Sequence, residues 1–222
     1  MKIEIKNISK SYGKHNVLKN ITFTAEGGKC IGILGGNGCG KSTLFSILAG
    51  IQNGDSGDFL YDGNSLFKHK KQRSRLVGYV PQGTPLFEEL TAYDNLLLWY
   101  KKSDLKVKID SGIFKLLKIK EMLNVPVSKM SGGMKKRLSI ACSVSENPPL
   151  LLLDEPMSAL DISCKQQICD YLNTHKKNGG IIFIATHDVM ELDLCDECYV
   201  IKDGVLVPFS WNGNLEELVK WL

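Results

Sequence analysis

The run Gly35-Gly36-Asn37-Gly38-Cys39-Gly40-Lys41-Ser42 matches the pattern G-x-x-x-x-G-K-[ST], which binds phosphate. Its glycines allow backbone torsions that turn successive N–H groups toward one point, making a cradle for anionic oxygens. A helix starting near Lys41 adds the positive end of its dipole, and Thr43 continues the contact surface into that helix. Lys41 can reach terminal phosphates, and the Ser42 hydroxyl can ligate a divalent cation.

A second chemical feature stands at Leu150-Leu151-Leu152-Leu153-Asp154-Glu155. A buried strand that ends in acid delivers its carboxylates to the carboxyl edge of a sheet, where open α/β folds bind ligands. Asp154 suits a Mg²⁺ site, directly or through water. Glu155, one residue on, is free to orient or deprotonate an attacking water. Together the two features specify a phosphate-loop nucleotidase without saying which one.

A third feature is Ser131-Gly132-Gly133-Met134, followed by the helical Lys135-Lys136-Arg137-Leu138. Serine caps a helix N-terminus, and the paired glycines let backbone N–H groups approach an anion closely. Taken alone, this segment reads equally well as an ordinary capped helix.

The elements that must position these residues follow from the pattern. Cys30-Ile31-Gly32-Ile33-Leu34, Leu150 to Leu153 and Ile181 to Ala185 are short apolar runs, expected as strands buried on both faces of a parallel sheet. Lys2 to Lys6 and Ile21 to Ala25 alternate with period two, which predicts a small half-exposed β layer. The segment Asp58 to Val80 reads as extended. Thr91 to Val144 reads as helical with a break at Pro126, and Ser163 to Lys177 is a further helix. Lys202-Asp203-Gly204 between Tyr199-Val200-Ile201 and Val205-Leu206-Val207 predicts a hairpin, and Leu215 to Leu222 a short terminal helix.

Composition narrows the functional classes. The 222 residues carry 28 Lys and Arg against 24 Asp and Glu, a net charge of +4 that is too mild to argue for nucleic acid. The densest basic stretch, Lys68 to Arg75, is expected as a solvated loop. No apolar run approaches the roughly 18 to 20 residues that a bilayer span needs, and Met1 to Ile5 reads as a strand and not as a leader. The expected location is the cytosol or the cytosolic face of a partner. Seven cysteines without regular spacing speak against a disulfide scaffold. Cys195 and Cys198 form a lone C-x-x-C, expected to be inert.

With its motifs in this order, the sequence resembles the ATP-binding-cassette family over essentially its whole length. Gln82 in Val80-Pro81-Gln82 corresponds to the family's glutamine loop and Ser131-Gly132-Gly133 to its signature. Ser158-Ala159-Leu160-Asp161 corresponds to the loop after the acidic strand, and His187 in Thr186-His187-Asp188 to the switch histidine. Tyr12 stands where the family stacks an aromatic on adenine. The resemblance implies an α/β phosphate-loop nucleotidase core with a mainly parallel sheet, a small antiparallel β subdomain and an inserted α-helical subdomain. It further implies one domain over residues 1–222 with the helical insertion at about 84–146.

The cofactors so implied are ATP and Mg²⁺. The nucleotide would be held by Tyr12, Gly35 to Thr43, Gln82 and the trio Ser131, Gly132 and Gly133, the metal by Ser42, Gln82 and Asp154. Glu155, His187 and Lys41 would serve hydrolysis. In the family the signature acts on the nucleotide of a second subunit, so the resemblance implies a dimer, homo- or heteromeric. It also implies a separate polytopic membrane subunit whose coupling helix docks near Thr84 to Trp99, with Leu86, Phe87, Leu90 and Leu96 as apolar candidates.

This sequence departs from the family at Met130 and Met134, which flank the signature, and at Gly36 and Cys39 in the phosphate loop. The Ser-Gly-Gly-Met form resembles that of exporter subunits and favours export. A non-transport cassette ATPase of cell division, repair or translation is the alternative. A metabolite kinase gives no reason for the signature.

Overall fold

The computed structural model describes every residue except Ser145, Glu146, Ala159 and Leu222. Parts of three expected features therefore lie outside the described residues: the end of the helical insertion, the loop Ser158 to Asp161 at Ala159, and the final residue of the terminal helix.

Strands β1 (Lys2–Tyr12) and β2 (His15–Glu26) form an antiparallel hairpin whose register runs from Lys2 opposite Glu26 to Tyr12 opposite His15. Period-two alternation sends Ile3 and Ile5 inward. Asn7, at φ 52°, then introduces an irregularity that sends Ile8 inward in place of residue 7. The chain continues through β3 (Cys30–Leu34) and α1 (Lys41–Ala49) to β4 (Ser56–Tyr61) and β5 (Asn64–Ser65). These last two strands complete a four-stranded antiparallel sheet of order β2-β1-β4-β5.

The Asp58 to Val80 segment is not extended throughout. Lys70–Leu76 forms α2, followed by β6 (Val77–Val80). Lys-Lys-Gln-Arg is a run of good helix formers, and that local preference wins. The basic stretch is also not wholly solvated, since the Arg73 guanidinium is buried beside Gly50 and stacks over Phe67.

The helical stretch is broken into shorter pieces than Pro126 alone would dictate: α3 (Ala92–Leu97), α4 (Lys102–Lys108), α5 (Gly112–Leu116) and α6 (Gly132–Ser143). Single turns of 3₁₀ helix at Ile119–Met122 and Val127–Lys129 lie between α5 and α6. Then follow β7 (Leu150–Asp154), α7 (Ile162–Lys177), β8 (Ile181–Ala185) and α8 (Val189–Leu192). A hairpin of β9 (Glu197–Lys202) and β10 (Val205–Phe209) precedes α9 (Leu215–Val219). Its turn residues Asp203 and Gly204 both take positive φ, as the Asp-Gly pair predicts.

The second sheet has the order β10-β9-β3-β8-β7-β6, parallel from β9 to β6, with β10 antiparallel on the edge. Its apolar runs are explained by packing on both faces. Leu150 and Leu152 face the cluster shared with the antiparallel sheet and α1, whereas Leu151 and Leu153 face the cluster built with α6 and α7. Each buried leucine contributes about 1.5–3 kcal/mol. The arrangement aligns the carboxyl ends of β3, β7 and β8 along one edge. The mainly parallel sheet, the antiparallel β layer and the inserted helices are the fold class that the resemblance implied.

Candidate active site

The phosphate loop runs from the end of β3 into α1. Gly35 sits at φ 142°, and a Cβ there would lie 2.5 Å from Cys39 Sγ and 2.7 Å from the Ile201 carbonyl. Gly40 caps α1 at φ 113°, against Leu18 and Val17. Both positions require glycine sterically as well as conformationally. The loop curls over Lys41, whose ammonium donates to the carbonyls of Gly35 at 2.6 Å and Gly36 at 3.2 Å. The cation is thus parked on the loop itself, pointed at the place where phosphates would lie.

A cavity of about 130 Å³ opens beside it. Asn37, Gly38, Gly40, Lys41, Ser42 and Thr43 line one side, and Gln82, Asp154 and Glu155 the other. Asp154 is buried, and its Oδ2 has no hydrogen-bond partner among the described residues. Burial raises its pKa; the facing Ser42 hydroxyl and the Lys41 charge pull it back down. A buried carboxylate oxygen left unpaired next to a serine hydroxyl is a donor pair that fits a hard divalent cation.

Glu155 follows with its own N–H bonded to the Ala185 carbonyl at 2.9 Å, so it is tied to the end of β8. It holds φ 49°, a left-handed conformation uncommon for glutamate. One carboxylate oxygen accepts from Gln82 Nε2 at 3.0 Å, and the other lies 3.5 Å from His187 Nδ1. Gln82, Glu155 and His187, distant in sequence, therefore form one line across the cavity mouth, with His187 at the exposed end.

The remaining candidate residues lie elsewhere in the single chain. Tyr12 is 51% exposed; its hydroxyl donates to Gln52 and its ring carries Lys10 above it, outside the cavity wall. Ser131 caps α6 by accepting from Met134 N at 3.3 Å; it and Gly132 are exposed, Gly133 is half-buried, and none of the three lines the cavity. Of the apolar docking candidates, Leu96 is fully buried and offers no surface; its helix turns the opposite side outward. Phe87, Leu98 and Trp99 are the exposed apolar residues there. Cys195 and Cys198 pack with Cys30 over Gly32 as free thiols, and among the described residues no group of three or more His, Cys, Asp or Glu is arranged to hold a metal.

The structure also shows a residue that the sequence did not single out. Lys136, on the second turn of α6, is 3% exposed and donates to the carbonyls of Pro81 at 3.0 Å and Gln82 at 3.3 Å. Burial lowers its pKa, opposed by the carboxylates of Asp154, Glu191 and Glu155. A lysine inside the signature helix reads as surface in a sequence, so only spacing on the inward face could have hinted at this.

A glycine cradle between a buried strand and a helix, facing an acid-ended neighbouring strand, places the chain in the phosphate-loop NTPase fold class. A family model described as "ABC transporter" matches residues 18–158, and the chain belongs to that family. It is 36% identical to the Nod factor export ATP-binding protein I of Sinorhizobium fredii, over 91% of this chain and 60% of that protein. It is 34% identical to the sulfate/thiosulfate import ATP-binding protein CysA of Neisseria meningitidis, over 99% of this chain and 63% of that one. The chain thus spans about three fifths of the length of these relatives. The lantibiotic transport ATP-binding protein SrtF of Streptococcus pyogenes is 33% identical and is covered over 95% of its length, with 97% of this chain. Among solved structures, the ATP-binding cassette MJ0796, dimeric in a post-hydrolysis state bound to ADP and Pi, aligns with TM-score 0.82 and 26% identity. That alignment covers 96% of this chain and all (100%) of that one. No described helix is long and apolar enough to cross a membrane.

Proposed function

We propose that this chain binds and hydrolyses ATP as one half of a dimeric motor and drives transport through a separate membrane subunit. The carrying observation is the convergence of Lys41, Ser42, the unpaired Asp154 oxygen and the Gln82–Glu155–His187 line on one cavity. The dimeric, ADP- and phosphate-bound state of the similar cassette supports the reading.

In this reading, the loop N–H groups hold the phosphate chain, and Lys41 exchanges its carbonyl partners for phosphate oxygens. Ser42, Asp154 and Gln82 would hold Mg²⁺, which supplies charge neutralisation on the transferring phosphoryl group. Glu155 orients a water and takes its proton as the water oxygen bonds to the γ-phosphorus. The bond from the γ-phosphorus to the bridging oxygen breaks, and ADP and phosphate are the products. His187 steadies Glu155 and reaches toward the γ-phosphate. Ser131, Gly132 and Gly133 serve the cavity of the second copy, a role consistent with their standing outside the lining of their own, Ser131 and Gly132 exposed and Gly133 half-buried. Tyr12 offers its ring to adenine, for which exposure is the required state.

Residues 84–146 work in this reading as the helical unit that meets the membrane subunit. A largely apolar groove of about 330 Å³, lined by Ile51, Pro85, Leu86, Trp99, Cys142 and Pro148 among others, receives that partner's coupling helix. Relatives named for export and for import resemble this chain at similar identity, which supports transport over the non-transport alternative and leaves direction with the membrane partner. The test is the concentration dependence of phosphate release from the purified chain with Mg-ATP. A rate per chain that rises with chain concentration is expected of a shared site; a constant one, with no dimer at saturation, contradicts it.

A further inference from the structure

Glu191 lies outside every motif considered above, yet it is 1% exposed in α8. Its Oε1 accepts the Met157 N–H at 2.8 Å, and its carboxyl also shares a hydrogen bond with the Thr186 hydroxyl. Those two partners have particular positions. Met157 is two residues beyond Glu155, and Thr186 immediately precedes His187. One buried side chain therefore grips both backbone segments that carry the 3.5 Å contact between Glu155 and His187.

The surroundings strengthen the grip. Thr186 Oγ1 accepts the Asp188 N–H at 2.9 Å, closing the turn that presents His187, and Asp188 caps α8 through Met190 N. Asp188 also pairs with Lys165 on α7, the helix that follows the loop from Glu155. The charged groups facing Glu191 are thus Asp188 and Lys165, with Lys136 of α6 farther off. A carboxyl is costly to bury, and burial pushes this one up to about 7. Its two hydrogen bonds offset part of that cost, and an apolar side chain would pack there without it.

We propose that Glu191 is a positioning residue for hydrolysis, holding the segment after Glu155 and the turn bearing His187 at one separation so that the two side chains meet. The proposal rests on the assignment of Glu155 and His187 to the hydrolytic step. Misplacement of a reacting group by about 1 Å can cost about 10²-fold in rate, which sets the scale of the effect.

The test compares steady-state ATP hydrolysis by the purified chain carrying Glu191→Leu, Glu191→Gln, His187→Ala and the Glu191→Leu/His187→Ala pair. Nucleotide affinity and the thermal midpoint are followed alongside. Leucine fills the space and removes both bonds, so kcat should fall by about 10²-fold with KM unchanged. Glutamine keeps an acceptor for Met157 and should restore kcat to within about threefold. The double variant should be no slower than His187→Ala alone, because both act on one contact. Wild-type kcat in Glu191→Leu, losses that multiply in the double variant, or a loss confined to KM would overturn the proposal. Should Glu191→Leu not fold, Thr186→Val removes the bond on the histidine side alone, with a fall in kcat of about tenfold expected and wild-type kcat overturning the proposal. Wild-type kcat in His187→Ala has a different meaning: it would refute the assignment of His187 itself, and the proposal with it.

Discussion

Lys136 and Gln82 are joined main chain to side chain: the buried ammonium of α6 donates to the Gln82 carbonyl at 3.3 Å and to the Pro81 carbonyl at 3.0 Å. The same helix begins at Ser131, and the same glutamine touches Glu155, so a single cation bridges the capped helix and the cavity mouth. Truncation leaves two buried carbonyls without their donor. Lys136→Ala should lower stability by about 2–3 kcal/mol, read as a drop in the denaturation midpoint, while ATP affinity stays within about twofold. An unchanged midpoint would show that the bridge contributes nothing.

Replacing Glu155 by Gln keeps the hydrogen bond to Gln82 within reach but removes the proton acceptor. Hydrolysis should fall by about 10²–10⁴-fold with ATP binding intact. On the proposed cycle, in which product release reopens the dimer, the variant should accumulate as an ATP-bound dimer. Size-exclusion chromatography with Mg-ATP reads this directly, and a monomer at saturating nucleotide refutes it.

Among the described residues Lys41 donates within its own loop, so its removal should spare the fold and strike binding. Lys41→Ala should weaken ATP binding by about 10- to 100-fold, the factor expected when charge-assisted bonds of about 1.5–3 kcal/mol are lost. Titration with a fluorescent ATP analogue measures it. Unaltered affinity contradicts the role.

The Glu191 carboxyl, raised from an ordinary 4.5 to about 7 by burial, links stability to pH. The unfolded chain releases this proton at lower pH than the folded one. The contribution is therefore fully present below about pH 4.5 and is lost as pH rises through about 7, worth about 3 kcal/mol. The raised Asp154 adds in the same direction, so the difference between wild type and Glu191→Gln isolates the term. The thermal midpoint of the wild type should decline more steeply from pH 5 to pH 8 than that of the variant. Parallel curves would refute the assignment.

Much of the cavity was legible before folding because its parts are local. A glycine loop needs only neighbouring torsions, and an apolar run ending in Asp154-Glu155 announces both a buried strand and the edge at which it stops. The hairpin at Asp203-Gly204 was legible for the same reason. Leu96 is interior and not a docking residue: helical periodicity shows that a face exists without saying which way it turns, and packing of α3 against the rest of the helices decides that. α2 is not legible in the sequence because its seven residues carry charge at most positions and leave no apolar stripe to read.

From the sequence alone came the phosphate loop, the acidic strand end, the capped signature helix and the alternation that separates two β layers, all set by contacts within a few residues. The tertiary structure alone decided that Lys136 and Glu191 are interior. Their partners lie 55 and 34 residues away along the chain, at Pro81 and Met157. Charged side chains are solvated unless distant backbone supplies the missing hydrogen bonds, and which distant backbone arrives is determined only when the sheets and helices pack.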